Sequence, residues 1–305
     1  MSSDPIVSGD EPPVLGPERL AELERLVGCA LRSGDTGPLR VLGYGEISLV
    51  LGWPTTRPTL ACKRLPVFRN EQGAGAYGAL IAEYVAELVR RGVRVVPTGW
   101  ETTTSTDGRF AGYVVQPAVA EDTLAPQIVA ADAGGSPELI AAIMDATVGA
   151  VDAQVGLDAQ LSNWALVDGE LRYFDVTTPL LAGADGRTRL DLGLLTQPLP
   201  AAIRPVVRRL VAPGLVGAYH QPRHAVVDLI GNLLKERLEH AVAPALSAAN
   251  RRVSPAITRE EVDRWYRSDA RTWSALLRLR RADRWWQRRV RRRTYPYLLP
   301  GPIRR

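Results

Sequence analysis

Twenty residues near the middle of the chain, 156–175, constrain it most. They read G-L-D-A-Q-L-S-N-W-A-L-V-D-G-E-L-R-Y-F-D. Two short apolar runs, 164–167 and 171–174, flank Asp168-Gly169. An Asp-Gly pair between such runs predicts a tight antiparallel hairpin, because the two-residue turn that matches strand twist needs positive φ at both positions. Pairing the runs brings Asn163 and Asp175 to the open end of the hairpin. Asp158 lies five residues before Asn163. An amide oxygen, a carboxylate and a second carboxylate close by are the hard oxygen donors that a Mg²⁺–phosphate site uses.

The rest of the sequence leaves room for such a site. A chain of 305 residues is long enough for two lobes, and 46% hydrophobic with 23% charged residues is ordinary for a globular protein. Two cysteines, Cys29 and Cys62, are too few for a disulfide framework and fit reduced thiols in a cytoplasmic protein. Residues 1–16 are polar and Pro-rich, unlike a signal peptide, and are expected to be disordered. No apolar run approaches the length of a membrane span.

Charge is unevenly placed. The net charge is +5, yet residues 271–305 hold twelve arginines and one carboxylate, Asp283. The preceding 270 residues carry 26 basic and 32 acidic side chains, so the body is mildly acidic and the tail strongly basic. Only two of 38 basic residues are lysine, Lys63 and Lys235. In a chain that uses Arg almost everywhere, a lysine invites a local reason. The Arg- and Ala-rich, Lys-poor composition points to a bacterial source.

Periodicity supplies the remaining elements. Pro17 opens a helix with leucines at 20, 23 and 26 that ends near Gly34. Strands are predicted at 39–42, 49–53 and 60–65, the first two joined by a glycine-containing turn. A helix follows at 75–91, carrying Glu83 and Glu87 one turn apart. Two further strands, 93–96 and 111–115, are joined by a polar Thr-rich segment, and Gln116-Pro117 ends the sheet. Helices are expected at 124–133 and 137–154, then at 201–211, 223–248 and 258–293. Thr258 and Glu261 form a capping-box signature for the last helix.

Five strands before a mainly helical half, with the acid–amide–acid triplet past the middle, resemble the protein-kinase-like superfamily, nearest its aminoglycoside and choline phosphotransferase branch. The resemblance covers residues 37–180. G-Y-G-E-I-S over 43–48 matches the glycine-rich loop, with Gly43, Gly45 and Ser48 at its phosphate-facing positions. Lys63 matches the third-strand lysine that contacts the α- and β-phosphates. Glu83, on the next helix, matches the carboxylate that pairs with it, with Glu87 as runner-up. Gln116 falls in the hinge that holds adenine. Asp158 and Asn163 preserve the D-x-x-x-x-N spacing of catalytic acid and metal-binding amide, and Asp175 matches the second metal ligand. Two departures stand out: Gly156-Leu157 replaces the usual residues before the catalytic acid, and Asp175-Val176-Thr177 replaces D-F-G.

The resemblance implies an α+β, bilobal protein-kinase-like fold: a small antiparallel-sheet lobe over 37–117 and a mainly helical large lobe over 118–305, preceded by a disordered 1–16 and a helix within 17–36. It implies an ATP- and Mg²⁺-dependent phosphotransferase acting on a hydroxyl of a small molecule or peptide. The alternative is a catalytically inactive pseudokinase serving as a binding scaffold. Each residue also has an ordinary reading. A G-x-G turn is most often a plain hairpin, and a lysine in a strand is usually a snorkelling edge residue. His220, His224 and Asp228 share the helical spacing of a metal site, but Pro222 lies among them and a structural or surface role is favoured. Trp265, Trp273, Trp285, Trp286, Tyr295 and Tyr297 interleave with the C-terminal arginines. That segment reads as a solvated helix packed on the large lobe, as a site for an anionic partner, or as a contact to an anionic membrane surface. Nucleic acid is the weakest reading, because the body is acidic.

Overall fold

The computed structural model describes residues 11–45 and 47–299 of the chain. Most of the segment expected to be disordered, residues 1–10, lies outside that range, as does Glu46 of the glycine turn. Residues 11–16 are a correction. Leu15 is buried, and the amides of Leu15 and Gly16 donate to the carboxylate of Glu101 at 2.6 and 2.9 Å. A Pro-rich sequence can be ordered when a partner satisfies its backbone donors.

The first helix, α1 (Pro17–Ser33), starts at Pro17 and stops at Gly34, whose φ of 84° is the left-handed cap that glycine adopts without strain. Its leucines face a five-stranded antiparallel sheet: β1 (Val41–Tyr44), β2 (Leu49–Trp53) and β3 (Leu60–Arg64), then, after α2 (Glu71–Arg90), β4 (Gly99–Thr104) and β5 (Phe110–Pro117). The strand order is β1-β2-β3-β5-β4. Alternation along β3 sends Cys62 and Arg64 to the α1 side and Lys63 to the other. Under α1, Arg64 forms a two-point ion pair with Glu24 at 2.7 and 2.8 Å, and Tyr113 donates its hydroxyl to the same carboxylate at 2.5 Å. Burial pushes the Glu24 carboxyl up, but the hydrogen bonds and charge of Arg64 outweigh it and hold the group below its ordinary value. Burial also drives the Cys62 thiol up to about 12, an inert buried thiol.

The Thr-rich segment expected to be a connector is itself strand β4, and residues 93–96 are not a strand of the sheet. β4 pairs with β5 from Gly99↔Val115 to Thr104↔Phe110. Its β-branched threonines suit a half-exposed edge strand. Residues 93–96 turn instead to the helical half: Val96 N–H donates to Tyr173 O at 2.9 Å and Tyr173 N–H to Arg94 O at 2.8 Å.

The second half contains α3 (Ala125–Ala131), α4 (Pro137–Ala150), the hairpin β6 (Trp164–Val167) and β7 (Glu170–Tyr173), and short helices α5 (Leu192–Thr196) and α6 (Arg204–Val206). A π turn (Val207–Val211) leads into α7 (Ala212–Ala218), followed by α8 (Pro222–Lys235), α9 (Val242–Ala249) and α10 (Arg259–Arg289). The single helix expected over 223–248 is two. The break falls at Arg237, with φ of 62°, and α9 restarts so that Pro244 sits in its first turn, where a missing N–H costs nothing. The fold is thus the α+β class expected, an antiparallel sheet half and a helical half.

The last helix joins both halves. Thr258 caps it, accepting from Glu261 N–H at 3.2 Å. Trp265 lies over Gly231 of α8, where an added Cβ would meet the indole at 2.1 Å. At about 1.5 Å per residue α10 runs on for roughly 45 Å, and Arg288 donates to Leu31 O of α1 at 2.9 Å. Trp285 and Trp286 of α10 remain exposed. Among the described residues no helix is long and apolar enough to cross a membrane.

Candidate active site

The central hairpin closes as its sequence requires. Asp168 and Gly169 have φ of 53° and 78°, the left-handed pair of a tight two-residue turn. The register runs from Val167↔Glu170 to Trp164↔Tyr173. One step further, Phe174 N–H donates to Asn163 O at 3.1 Å. Asn163 and Asp175 therefore sit side by side at the open end. The Asn163 amide donates through Nδ2 to Asp158 O at 3.1 Å, which turns Oδ1, the hard oxygen donor, away from that bond. Asp158 accepts from Gln160 N–H at 3.2 Å, an Asx-type turn that sets the direction of its carboxylate.

Lys63 reaches this end from the sheet. Its Nζ donates to Phe174 O at 2.6 Å, lies 3.5 Å from Asp175 Oδ1, and sits 5.0 Å from the centre of the Phe174 ring. The residue is only 5% exposed. Burial draws its ammonium below the ordinary value, and Asp175 offsets only part of that shift. Thr177 Oγ1 donates to the same Asp175 oxygen at 2.7 Å. The loop–hairpin unit thus gathers Asp158, Asn163 and Asp175, and Lys63 joins it through Asp175 and Phe174.

Glu83 does not join them, which corrects the expected pairing with Lys63. It points outward into a two-point ion pair with Arg189, one contact at 2.7 Å. Glu87 is also diverted, to Arg90 and Arg91. The helix phase is the cause. α2 buries Ala74, Tyr77, Ile81, Tyr84 and Leu88, a face that excludes positions 83 and 87. The residues that α2 does present inward are tyrosines. Tyr84 donates its hydroxyl to Gly156 O at 2.9 Å, and Tyr77 donates to Thr177 O at 2.9 Å. One bond holds the loop before Asp158 and the other the segment after Asp175. Burial raises the Tyr84 phenol well above its ordinary value, and the charges of Asp158 and Asp175 raise it further. Both carboxylates therefore act on the same hydroxyl.

The glycine turn connects β1 and β2. Gly45 N–H donates to Ser48 O at 3.0 Å, and a Cβ on Gly45 would lie 2.4 Å from Ser48 Oγ. Gly43 pairs with Val50, and Val50 pairs in turn with Lys63 across the ladder. The turn and the lysine are thus on neighbouring strands. Gln116 is buried, with Nε2 donating to Thr98 Oγ1 at 3.0 Å, so its side chain secures the end of β5. Beyond it, Ala118 N–H is spent on Thr59 O at 2.9 Å.

Several residues escaped the sequence reading. Tyr77 and Tyr84 are two. Lys235 is another: its Nζ and Asn232 Nδ2 both donate to Gln160 Oε1 at 3.3 Å, two residues from Asp158. The scarcity of lysine was the available signal, since both lysines of the chain meet this site. Behind the loop, Leu157 N–H donates to Tyr219 O at 3.3 Å, and a Cβ on Gly156 would lie 3.1 Å from His220 Nδ1. His220 lies before α8, which starts at Pro222, so it does not share a helix face with His224 and Asp228. Among the described residues no group of three or more His, Cys, Asp or Glu could hold a metal ion.

The sequence profile of a family of unknown function (DUF6206) matches residues 22–284. No curated protein matches the chain. Solved structures similar to it include two kinases. One is the MAP kinase LmaMPK10 from Leishmania major, at 10% identity, covering 83% of this chain and 99% of that one, with a TM-score of 0.30. The other is the PknI kinase domain of Mycobacterium tuberculosis, at 19% identity, covering 76% and 94%, with a TM-score of 0.27.

Proposed function

The chain belongs to the DUF6206 family of unknown function, and from that premise we propose that it is an ATP- and Mg²⁺-dependent phosphotransferase acting on a hydroxyl of a small molecule or peptide. One observation carries the reading: Lys63 reaches from the sheet to Asp175, beside Asn163, at the end of the loop that holds Asp158. The donor set fits the group it would hold. Asn163 Oδ1 and the Asp175 carboxylate are two hard oxygen ligands, and Mg²⁺ takes one or two such ligands and completes its shell with phosphate and water oxygens. When bound, ATP and Mg²⁺ supply the γ-phosphoryl group and neutralise its developing charge.

The chain's own residues have distinct parts in this reading. Lys63 places a compact positive charge toward the phosphates. Asn163 and Asp175 hold the metal. The turn bearing Gly43, Gly45 and Ser48 lets backbone approach the phosphates, and Gln116 secures the strand end that leads to the adenine side. Asp158 orients the acceptor hydroxyl and takes its proton. The acceptor oxygen bonds to the γ-phosphorus as the bond to the β–γ bridging oxygen breaks, and ADP leaves with that electron pair.

A second reading, a catalytically silent scaffold, is favoured by one feature: Lys63 is buried and already bonded to Phe174 O and Asp175. Nucleotide binding would require Lys63 to exchange the Phe174 carbonyl for a phosphate. The two readings separate in a transfer assay with radiolabelled ATP over a panel of hydroxyl acceptors. Labelled product that disappears in Asp158→Asn supports the transferase; nucleotide binding with no Asp158-dependent product leaves the scaffold.

A further inference from the structure

A cavity of about 770 Å³ opens between the start of α2 and the 189–208 segment, beside the candidate site. Its size is that of a small-molecule pocket. Five guanidinium groups line it, from Arg69, Arg109, Arg189, Arg204 and Arg208, against one carboxylate, Asp191. Arg109 is matched by Asp107 and Arg189 by Glu83. Arg69, Arg204 and Arg208 have no carboxylate partner among the described residues. The arginines come from separate segments of the sheet half and of the helical half, so the folded chain assembles the cluster. Asp191 is itself engaged by Gly193 N–H at 2.7 Å.

The cavity is tied to the candidate site. Tyr77 forms part of its wall, and the Tyr77 hydroxyl donates to Thr177 O, whose side chain donates to Asp175. Two hydrogen-bonded contacts thus separate the wall from the proposed metal ligand. Concentrated guanidinium groups with too few carboxylates repel one another until an oxyanion joins them, and their forked donors suit phosphate or carboxylate. An amine-rich acceptor would be repelled here.

We propose that this cavity binds the acceptor through oxyanion groups, so that the substrate is a small phosphorylated or polycarboxylate molecule that also carries the reacting hydroxyl. The inference rests on the phosphotransferase reading for the word acceptor, and on the arginine cavity alone for the anion. Its test therefore uses no nucleotide. Pyrophosphate and citrate are titrated into the full chain by calorimetry at low and at high salt, with wild type, Arg69→Gln, Arg208→Gln and the double variant. Arg69 and Arg208 are exposed, so their replacement leaves the core intact. Arg187→Gln, at an exposed arginine that does not line the cavity, controls for loss of charge. At least one probe binds wild type, weakens with salt, loses about tenfold in affinity in the double variant and is retained in Arg187→Gln and Lys63→Met. Preference for pyrophosphate assigns a phosphorylated acceptor, and preference for citrate a polycarboxylate. Absence of binding by both probes in wild type, or binding unchanged in the double variant, overturns the proposal. Failure of the nucleotide site would register separately, as absent ATP binding with the anion binding intact.

Discussion

Lys63 Nζ stands 3.5 Å from Asp175 Oδ1 and donates to the Phe174 carbonyl at 2.6 Å. One residue belongs to the third strand of the sheet and the other follows the hairpin of the helical half. The contact joins the two halves without a carboxylate from α2.

That arrangement separates two substitutions that the sequence would have grouped. Lys63→Met removes ATP·Mg²⁺ binding, while Glu83→Gln leaves it within about twofold, because Glu83 serves an exposed ion pair worth about 0–1 kcal/mol. Nucleotide titration followed by thermal shift reads both. Equal losses in the two variants would restore Glu83 to the site.

Tyr84 acts through the backbone of the loop before Asp158, the base in the proposed phosphotransferase. Tyr84→Phe leaves the buried Gly156 carbonyl without its hydroxyl donor, which costs about 1–3 kcal/mol of stability. Because the loop carries Asp158, kcat falls while the KM for ATP stays nearly constant. A variant with lowered melting temperature but unchanged kcat would make Tyr84 purely structural.

Lys235 is held over the same loop by Gln160. In the proposed phosphotransferase, Lys235→Met lowers kcat by about one order of magnitude, since its positive charge is held two residues from Asp158, through Gln160, where it stabilises developing negative charge, and Lys235→Arg recovers part of the loss. An unchanged kcat in Lys235→Met would confine the lysine to packing.

The buried pair under α1 gives a pH signature. The Glu24 carboxyl is held below its ordinary value. Its contribution is therefore present above the unfolded-state pKa, near the ordinary 4.5, and is lost as pH falls through the lowered folded value. Glu24→Gln costs about 3 kcal/mol near neutrality, because Arg64 stays buried without a counter-charge, and flattens stability in that acid window. Chemical denaturation from pH 7 down to pH 3 compares the two curves; parallel curves would contradict the pairing.

The parts legible in the sequence were those written in local rules. Asp168-Gly169 specifies its turn, Pro17 and Gly34 bracket α1, and alternation puts Cys62 and Lys63 on opposite faces of β3. The missed features depend on tertiary context. Glu83 has the right spacing from Lys63 but the wrong helix phase, which only the packing of Tyr77, Ile81 and Tyr84 decides. Thr102 and its neighbours read as a loop because their polarity hid an edge strand. The arginine cavity draws on residues about 140 positions apart, a separation no local pattern can bridge.

The central claim is that Asp158, Asn163 and Asp175 form, with Lys63, a Mg²⁺–nucleotide site. Calorimetric titration of ATP into the wild-type protein and into Asp175→Asn, each with and without Mg²⁺, tests it most directly. The account predicts ATP binding that Mg²⁺ strengthens in the wild type and that loses its Mg²⁺ dependence in Asp175→Asn. No binding in the wild type, or a Mg²⁺ effect that Asp175→Asn leaves unchanged, would contradict it.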